Sequence, residues 1–370
     1  MEFVVFLVVV AIAYANGAND SFKGVATLYG GGASSYRTAL LWAVLTTLAG
    51  SLFAGVFAEA LVKTFSGAGL VPDAVLSDPA FMVSVALGAA ITVFLTALFG
   101  IPISTTHALT GALVGAALFN SGSSVDFHVL EGKFLLPLAV SPLLAIALIL
   151  LLFPLLRMVA RRLGLTQTSC VCVSAVEAPL LAGTSHSDAT LSTNRELVVV
   201  QGDTISCMPG SVAAPTLKIE LGPILRKLHF LSAGAVSFAR GTNDTPKIVG
   251  IAMLSQAFDL KLNIFIIAVA MAIGGLLHSR KIAETMSSRI LSFDEAEGTI
   301  ANLVTSFLVI VASRLGLPVS TTHVAVSSLF GLGAVKGNAH WSIVGGIALS
   351  WLLTLPIAGI LAALLFATLR

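Results

Sequence analysis

Apolar residues in this chain run together in blocks. Runs at Phe3–Ala15, Leu40–Phe57, Phe81–Phe99, Ala108–Phe119 and Phe134–Leu156 precede a polar segment from Arg157 to Lys227. Runs resume at Leu228–Phe238, Ile248–Phe258, Leu262–Leu277, Ile300–Ala312, Val324–Val335 and Ile343–Thr368. A membrane-spanning helix takes ~20 apolar residues, ~17 at the lower end. Several runs are shorter than this and sit in pairs around Gly, Pro, Ser and Thr. The pattern predicts broken helices or re-entrant helical hairpins, which exist at membrane depth only when buried in protein or lining a wet cavity. Within the polar segment, "RELVVVQGD" reads as a strand bounded by turn residues, so a small extramembrane domain or ordered loop is expected there.

Composition supports a lipid-facing exterior. Of 370 residues, 56% are hydrophobic and only 10% charged, against about a quarter charged in a soluble chain. Too little charge is present to cover a water-facing surface, so the chain reads as an all-α polytopic membrane protein, multi-pass in the cell membrane, with lipid as its surroundings. A net charge of +2 gives no reason to expect nucleic acid. The cysteines, Cys170, Cys172 and Cys207, are odd in number and lie in the polar segment, so they form no disulfide framework. Cys170-Val171-Cys172 lacks a second Cys/His pair at metal-ligand spacing.

The chain repeats itself. "ANGANDSFKG" at Ala15–Gly24 aligns with "ARGTNDTPKI" at Ala239–Ile248, matching Gly17 with Gly241, Asn19 with Asn243, Asp20 with Asp244 and Lys23 with Lys247. "GIPISTTHA" at Gly100–Ala108 aligns with "GLPVSTTHV" at Gly316–Val324. Both motifs recur in the same order at similar spacing, which divides the chain into two halves. The boundaries are residues 1–157 for the first membrane repeat, 158–226 for the central segment and 227–370 for the second repeat. Repetition also argues against a signal peptide cleaved after Ala15, as does the absence of an early basic residue.

Charge sets the expected orientation. Arg157, Arg161, Arg162, Arg226 and Lys227 flank the central segment, and Arg280, Lys281 and Arg289 mark a second basic loop; both are expected in the cytoplasm. Taking each Ser-Thr-Thr motif as a hairpin tip leaves an odd number of crossings per half. Inverted topology follows, with both termini outside and the two tips meeting near the midplane.

The motifs suggest chemistry. A carboxylate deep in a membrane costs several kcal/mol unless paired, solvated or ion-bound, so Asp20 and Asp244, with Asn19 and Asn243, are candidate oxygen ligands for a hard cation. A helix cap at the membrane surface is the plain alternative. Ser104, Thr105 and Thr106, like Ser320, Thr321 and Thr322, follow Gly-x-Pro and suit the start of a helix, where free N–H groups and hydroxyls form an anion site. Simple N-capping is the alternative for each copy alone. Two carboxylates beside an oxyanion crowd negative charge, and a coupled Na⁺ or H⁺ would relieve it; that linkage is symport. The reach of Lys23, Lys247 and Arg240 into such a site is open from sequence. His107 and His323 read first as packing or indirect partners. Glu59 and Glu284, at related places in the two halves, are candidates for gating or coupling. Arg240 stands where the first copy has Asn16.

"GANDSFKG", "GIPISTTHALTG", "GTNDTPKIVG" and "GLPVSTTHV" resemble the signature segments of the inorganic phosphate transporter (PiT) family. The resemblance covers both membrane halves. It implies import of inorganic phosphate with a coupling cation, Na⁺ in some members and H⁺ in others, no organic cofactor, a cytoplasmic central loop and external termini. It places the family's motif Asp at Asp20 and Asp244, its Ser-Thr-Thr at 104–106 and 320–322, and its acidic residue at Glu59 and Glu284, although "GVFAEA" departs from the usual surroundings of that Glu. The expectation is a secondary active, non-enzymatic phosphate symporter, Na⁺ favoured, working by alternating access as one half moves against the other. Proton-coupled, metal-phosphate and sulfate uptake are the alternatives within transport. A passive anion channel and an intramembrane Ser-His-Asp hydrolase lie outside it, and the duplication argues against the hydrolase. A homodimer is expected only from the tendency of membrane transporters to pair.

Overall fold

The computed structural model describes residues 2–67, 69–121, 125–166, 168–178, 194–203, 217–289 and 293–370. Cys207 lies outside them. The chain divides into two compact units, one of Met1–Pro154 with His229–Arg370 and the other Leu155–Leu228.

The first unit is helical. Its first half holds α1 (Glu2–Asp20), a 3-10 turn (Ser21–Val25), α2 (Ala26–Gly30), α3 (Tyr36–Phe57), the short α4 (Glu59–Phe65) and α5 (Asp73–Leu76), then α6 (Pro79–Phe99) and α7 (Thr105–Ser121). After α8 (Phe127–Val129) and a π-helical turn comes the long α9 (Leu136–Arg162). The second half repeats this order with α10 (Leu221–Ala252), α11 (Leu260–His278), the short α12 (Arg280–Glu284), the pair α13 (Glu295–Arg314) and α14 (Thr321–Lys336), and α15 (Trp341–Leu369). Among the described residues, seven helical segments are long and apolar enough to cross a membrane. Large apolar side chains point outward from them, Leu352 and Phe99 each 75% exposed, as a lipid-facing surface requires. The chain is an integral membrane protein.

The second unit carries an antiparallel sheet in the order β2-β1-β3, from β1 (Ser169–Ala178), β2 (Asn194–Asp203) and β3 (Leu217–Glu220). Cys170 and Cys172 lie on β1. Among the described residues no three His, Cys, Asp or Glu side chains group as metal ligands.

The two halves of the helical unit are inverted relative to each other. Val5 at the start of α1, Pro79 and Met82 at the start of α6, and Gln256 after α10 line one cavity of about 370 Å³. At the other end, Gly30 of α2 packs on Ser287, and Gly298 of α13 packs on His229, near the start of α10. So α1 and α10 run oppositely, and the hairpins α6–α7 and α13–α14 enter from opposite faces. Each hairpin arm ends at a glycine in the left-handed region, Gly100 (φ 72°) and Gly316 (φ 69°), where a side chain would be strained.

The halves also interlock. α1 packs on α11 as well as α6, α3 packs on α11, and α15 lies along α7 and α6. In return Ile146 and Ile149 of α9 cover Gly331 of α14. A rigid motion of one whole half against the other would break these contacts. A difference from the sequence reading concerns the N-D motifs. The first ends α1 and tightens into the 3-10 turn, whereas the second lies inside α10, which runs unbroken through Pro246. Every residue from Ala239 to Ala252 is buried.

The motif glycines allow the halves to touch. A Cβ on Gly17 would stand 1.9 Å from the Met271 carbonyl oxygen, and one on Gly241 2.2 Å from that of Thr47. Backbone cannot yield as a side-chain tip does. Gly241→Val is expected to destabilise the protein by ~3 kcal/mol or more, at the top of the overpacking range. Gly345→Ala, with open space around it, is expected to be neutral or slightly stabilising. Thermal unfolding in detergent compares the two.

Candidate functional site

The two N-D motifs and the two Ser-Thr-Thr tips converge at the centre of the helical unit. Asp20 sits at the end of α1 and Lys23 three residues on, on the same side of the turn. Burying a carboxylate demands a partner, and Lys23 supplies it: its ammonium is ion-paired with Asp20, both side chains 1% exposed. The same ammonium donates to the Ile103 carbonyl at 2.8 Å and to Thr322 Oγ1 of the other tip at 2.7 Å. Asn19 donates to Asp20 Oδ1 at 2.9 Å and to the Ile103 carbonyl at 2.9 Å.

The second half repeats this cluster. Lys247 reaches Asp244 Oδ1 at 3.3 Å, the Val319 carbonyl at 2.7 Å and Thr106 Oγ1 of the opposite tip at 2.7 Å. Asn243 donates to Asp244 Oδ1 at 3.0 Å and to the Val319 carbonyl at 3.2 Å. The tips also bond each other directly, Thr322 Oγ1 to the Ile103 carbonyl at 2.9 Å and Thr106 Oγ1 to the Val319 carbonyl at 3.3 Å. Those two carbonyls are available because Gly-x-Pro stops the arm before them and helix begins only after Ser104 or Ser320.

Each predicted residue has a distinct place. Thr105 Oγ1 donates to Asp20 Oδ2 at 2.9 Å. Ser104 and Ser320 cap their helices, accepting from the backbone N–H of His107 and His323 at 3.2 Å. Thr321 is buried at the start of α14. The capping alternative does not describe the carboxylates: Asp20 makes no side-chain cap bond, and Asp244 is inside a helix. His107 and His323 meet with ring centroids 4.4 Å apart, and His323 stacks on Trp351 at 3.8 Å. Among the described residues, neither histidine bonds a motif carboxylate.

Glu59 and Glu284 lie elsewhere and do not occupy matching positions. Thr64 of α4 donates to the Gly316 carbonyl at 3.3 Å, and Thr285 after α12 donates to the Gly100 carbonyl at 2.8 Å. These equivalent contacts pair Thr64 with Thr285, which sets Glu284 opposite Lys63 and Glu59 opposite Arg280. Glu284 is ion-paired with Arg280 at 3.4 Å on the exposed surface.

Four residues belong to the site beyond the predicted set. Asn16 donates to Asp20 Oδ2 at 2.8 Å, to Thr105 Oγ1 at 3.0 Å and to Asp244 Oδ2 at 3.5 Å, bridging both carboxylates. Lys23, Lys247 and Arg240 bring positive charge, Arg240 Nε standing 3.5 Å from Asp244 Oδ2. The crowding of negative charge expected from the motifs is therefore absent: three cationic side chains face two carboxylates. The sequence signal was present, because both lysines lie at i+3 from their Asp, on one helix face.

The sequence pattern of the Phosphate transporter family matches residues 16–362. The chain belongs to this family. A Pyrococcus horikoshii protein described as a phosphate permease is 27% identical over 395 residues, covering 97% of this chain and 95% of its own. A Bacillus subtilis protein described as a low-affinity inorganic phosphate transporter is 26% identical over 378 residues, covering 98% and 96%. A solved structure, "The sodium-dependent phosphate transporter", superposes with a TM-score of 0.76 over 100% of this chain and 98% of that one, at 19% identity. At that identity the likeness is one of fold. As a member of the family the chain is a phosphate transporter and not an enzyme, which removes the hydrolase alternative.

Breaking one buried pair leaves the other charge uncompensated. Lys23→Met is expected to cost about 3–5 kcal/mol, and the double change Asp20→Asn/Lys23→Met distinctly less than the sum of the single changes. Unfolding of the four proteins of that cycle, in detergent, measures the coupling.

Proposed function

We propose that the chain imports inorganic phosphate by secondary active transport, coupled to a cation through Asp20 and Asp244. The observation that carries the reading is the paired convergence of the two N-D motifs on the two Ser-Thr-Thr tips. Phosphate is cradled between Ser104–Thr106 and Ser320–Thr322, where the helix N-termini face it from both sides and the threonine hydroxyls turn to it from Asp20 and the Ile103 and Val319 carbonyls that they bond. Alternating access exposes this site to each face in turn, through the hairpins and the short helices that hold their tips.

Two readings of the coupling ion have support. Sodium is supported by the fold likeness to the sodium-dependent transporter and by the oxygen donors of Asp, Asn and backbone carbonyl. The proton is supported by a specific observation: ammonium groups already engage those oxygens, whereas a carboxylate still accepts H⁺. Metal-phosphate and sulfate remain as competing substrates in the same test. The orientation proposed is external termini and a cytoplasmic central segment over 158–226, between membrane repeats 1–157 and 227–370. A homodimer and the surrounding lipid complete the proposal.

Radiolabelled phosphate uptake into proteoliposomes tests it. Accumulation is expected under an inward Na⁺ or an inward H⁺ gradient and is expected to be absent without either; the effective gradient names the ion. Asp20→Asn and Asp244→Asn should each lower coupled uptake at least ~10-fold, the effect of losing ~1.4 kcal/mol or more. Equal flux with no gradient would mean a passive channel. Preference for sulfate would mean the wrong anion.

A further inference from the structure

We infer that this transporter carries its own counter-charge for the anion: Lys23, Lys247 and Arg240 supply the positive charge that imported cations would otherwise bring, so phosphate binds without sodium. The inference rests on the phosphate reading above and sharpens it at the binding step.

The ammonium groups occupy complete oxygen shells. Lys23 Nζ meets a carboxylate (Asp20), a carbonyl (Ile103, 2.8 Å) and a hydroxyl (Thr322, 2.7 Å). Lys247 Nζ meets the same three kinds of oxygen in Asp244 (3.3 Å), Val319 (2.7 Å) and Thr106 (2.7 Å). These are the donor types of a hard cation site. An ammonium has three N–H groups, and three oxygens receive them in each cluster. Being covalently attached, each ammonium competes with free cations at an effective concentration on the order of millimolar or above. Its hydroxyl partner is also a member of the opposite Ser-Thr-Thr tip, so the same charge lies against the proposed anion cradle.

The formal charge of the site follows. Two carboxylates face two ammonium groups and one guanidinium, all buried, which leaves one positive charge in excess. A phosphate monoanion brings this to zero with no further ion.

Arg240 gives the anion a side. Its residue is 1% exposed, and Nε, Nη1 and Nη2 have no hydrogen-bond partner among the described residues. Nε stands 3.5 Å from Asp244 Oδ2, an ion pair without a hydrogen bond. Leaving guanidinium donors unpaired in a dry interior is costly, and an oxyanion satisfies them two at a time. The matching position in the first half is Asn16, whose amide is spent on Asp20 and Thr105. Phosphate is therefore held closer to the second-half motif than to the first.

The test is equilibrium dialysis of labelled inorganic phosphate against the purified full chain in detergent, in choline chloride and in sodium chloride of equal ionic strength. The expected result is a Kd that agrees within about twofold between the two salts, a difference under ~0.5 kcal/mol. Lys23→Asn/Lys247→Asn is expected to weaken binding at least ~10-fold in choline and to regain it in sodium, because the emptied shells then accept a free ion. Arg240→Gln should weaken binding ~10-fold or more in both salts, with Arg240→Lys intermediate, since it keeps the charge and loses the fork. Wild-type binding seen only in sodium chloride would overturn the counter-charge inference and leave the phosphate reading standing. No binding in either salt would overturn both. The wild-type comparison between salts decides the matter by itself if a variant fails to fold.

Discussion

Two buried ammonium–carboxylate pairs hold the centre of this molecule together. Lys23 with Asp20 and Lys247 with Asp244 lie where an unpaired charge could not persist. Each lysine is anchored to its own motif but spends a hydrogen bond on the tip of the other half. The carbonyls they use, Ile103 and Val319, are free only because Gly-x-Pro ends one helix and Ser-Thr-Thr starts another. The charged residues thus explain the breaks, and the breaks explain the motif. Site and inter-half contact are one structure.

α1, α3 and α15 pack across the halves, so a rigid motion of one half against the other would break these contacts. Thr64 of the short helix α4 and Thr285, just after α12, touch the two hairpins at Gly316 and Gly100, at equivalent points on opposite faces. In the alternating access proposed here, these two segments are the pieces whose release would uncover a tip without dismantling the core around Val9, Ile12, Ala86 and Met271.

Much of this was legible in the sequence. The paired motifs located the residues that converge, and the odd count of crossings implied the inverted arrangement. Gly17 and Gly241 aligned because both admit a facing backbone. Features that depend on distances are not legible in it. Glu59 and Glu284 looked equivalent, yet the contacts of Thr64 and Thr285 put them four residues out of step. The charge of the site is not legible in the sequence, because an i+3 lysine beside a carboxylate reads equally well as a snorkelling surface residue; only burial shows where its ammonium lies. Interlocking of the halves by α9 and α15 leaves no mark in hydropathy, since a helix facing lipid and a helix facing another helix are both apolar.

The most direct measurement is to locate the anion. A crystal structure grown with arsenate, a tetrahedral oxyanion with an anomalous signal, would place it without ambiguity. The account predicts one arsenic peak between Thr106 and Thr322, within hydrogen-bond reach of the Arg240 guanidinium. A peak confined to the surface cavity lined by Tyr36, Arg37 and Arg280, or none at the paired tips at saturating arsenate, would contradict it.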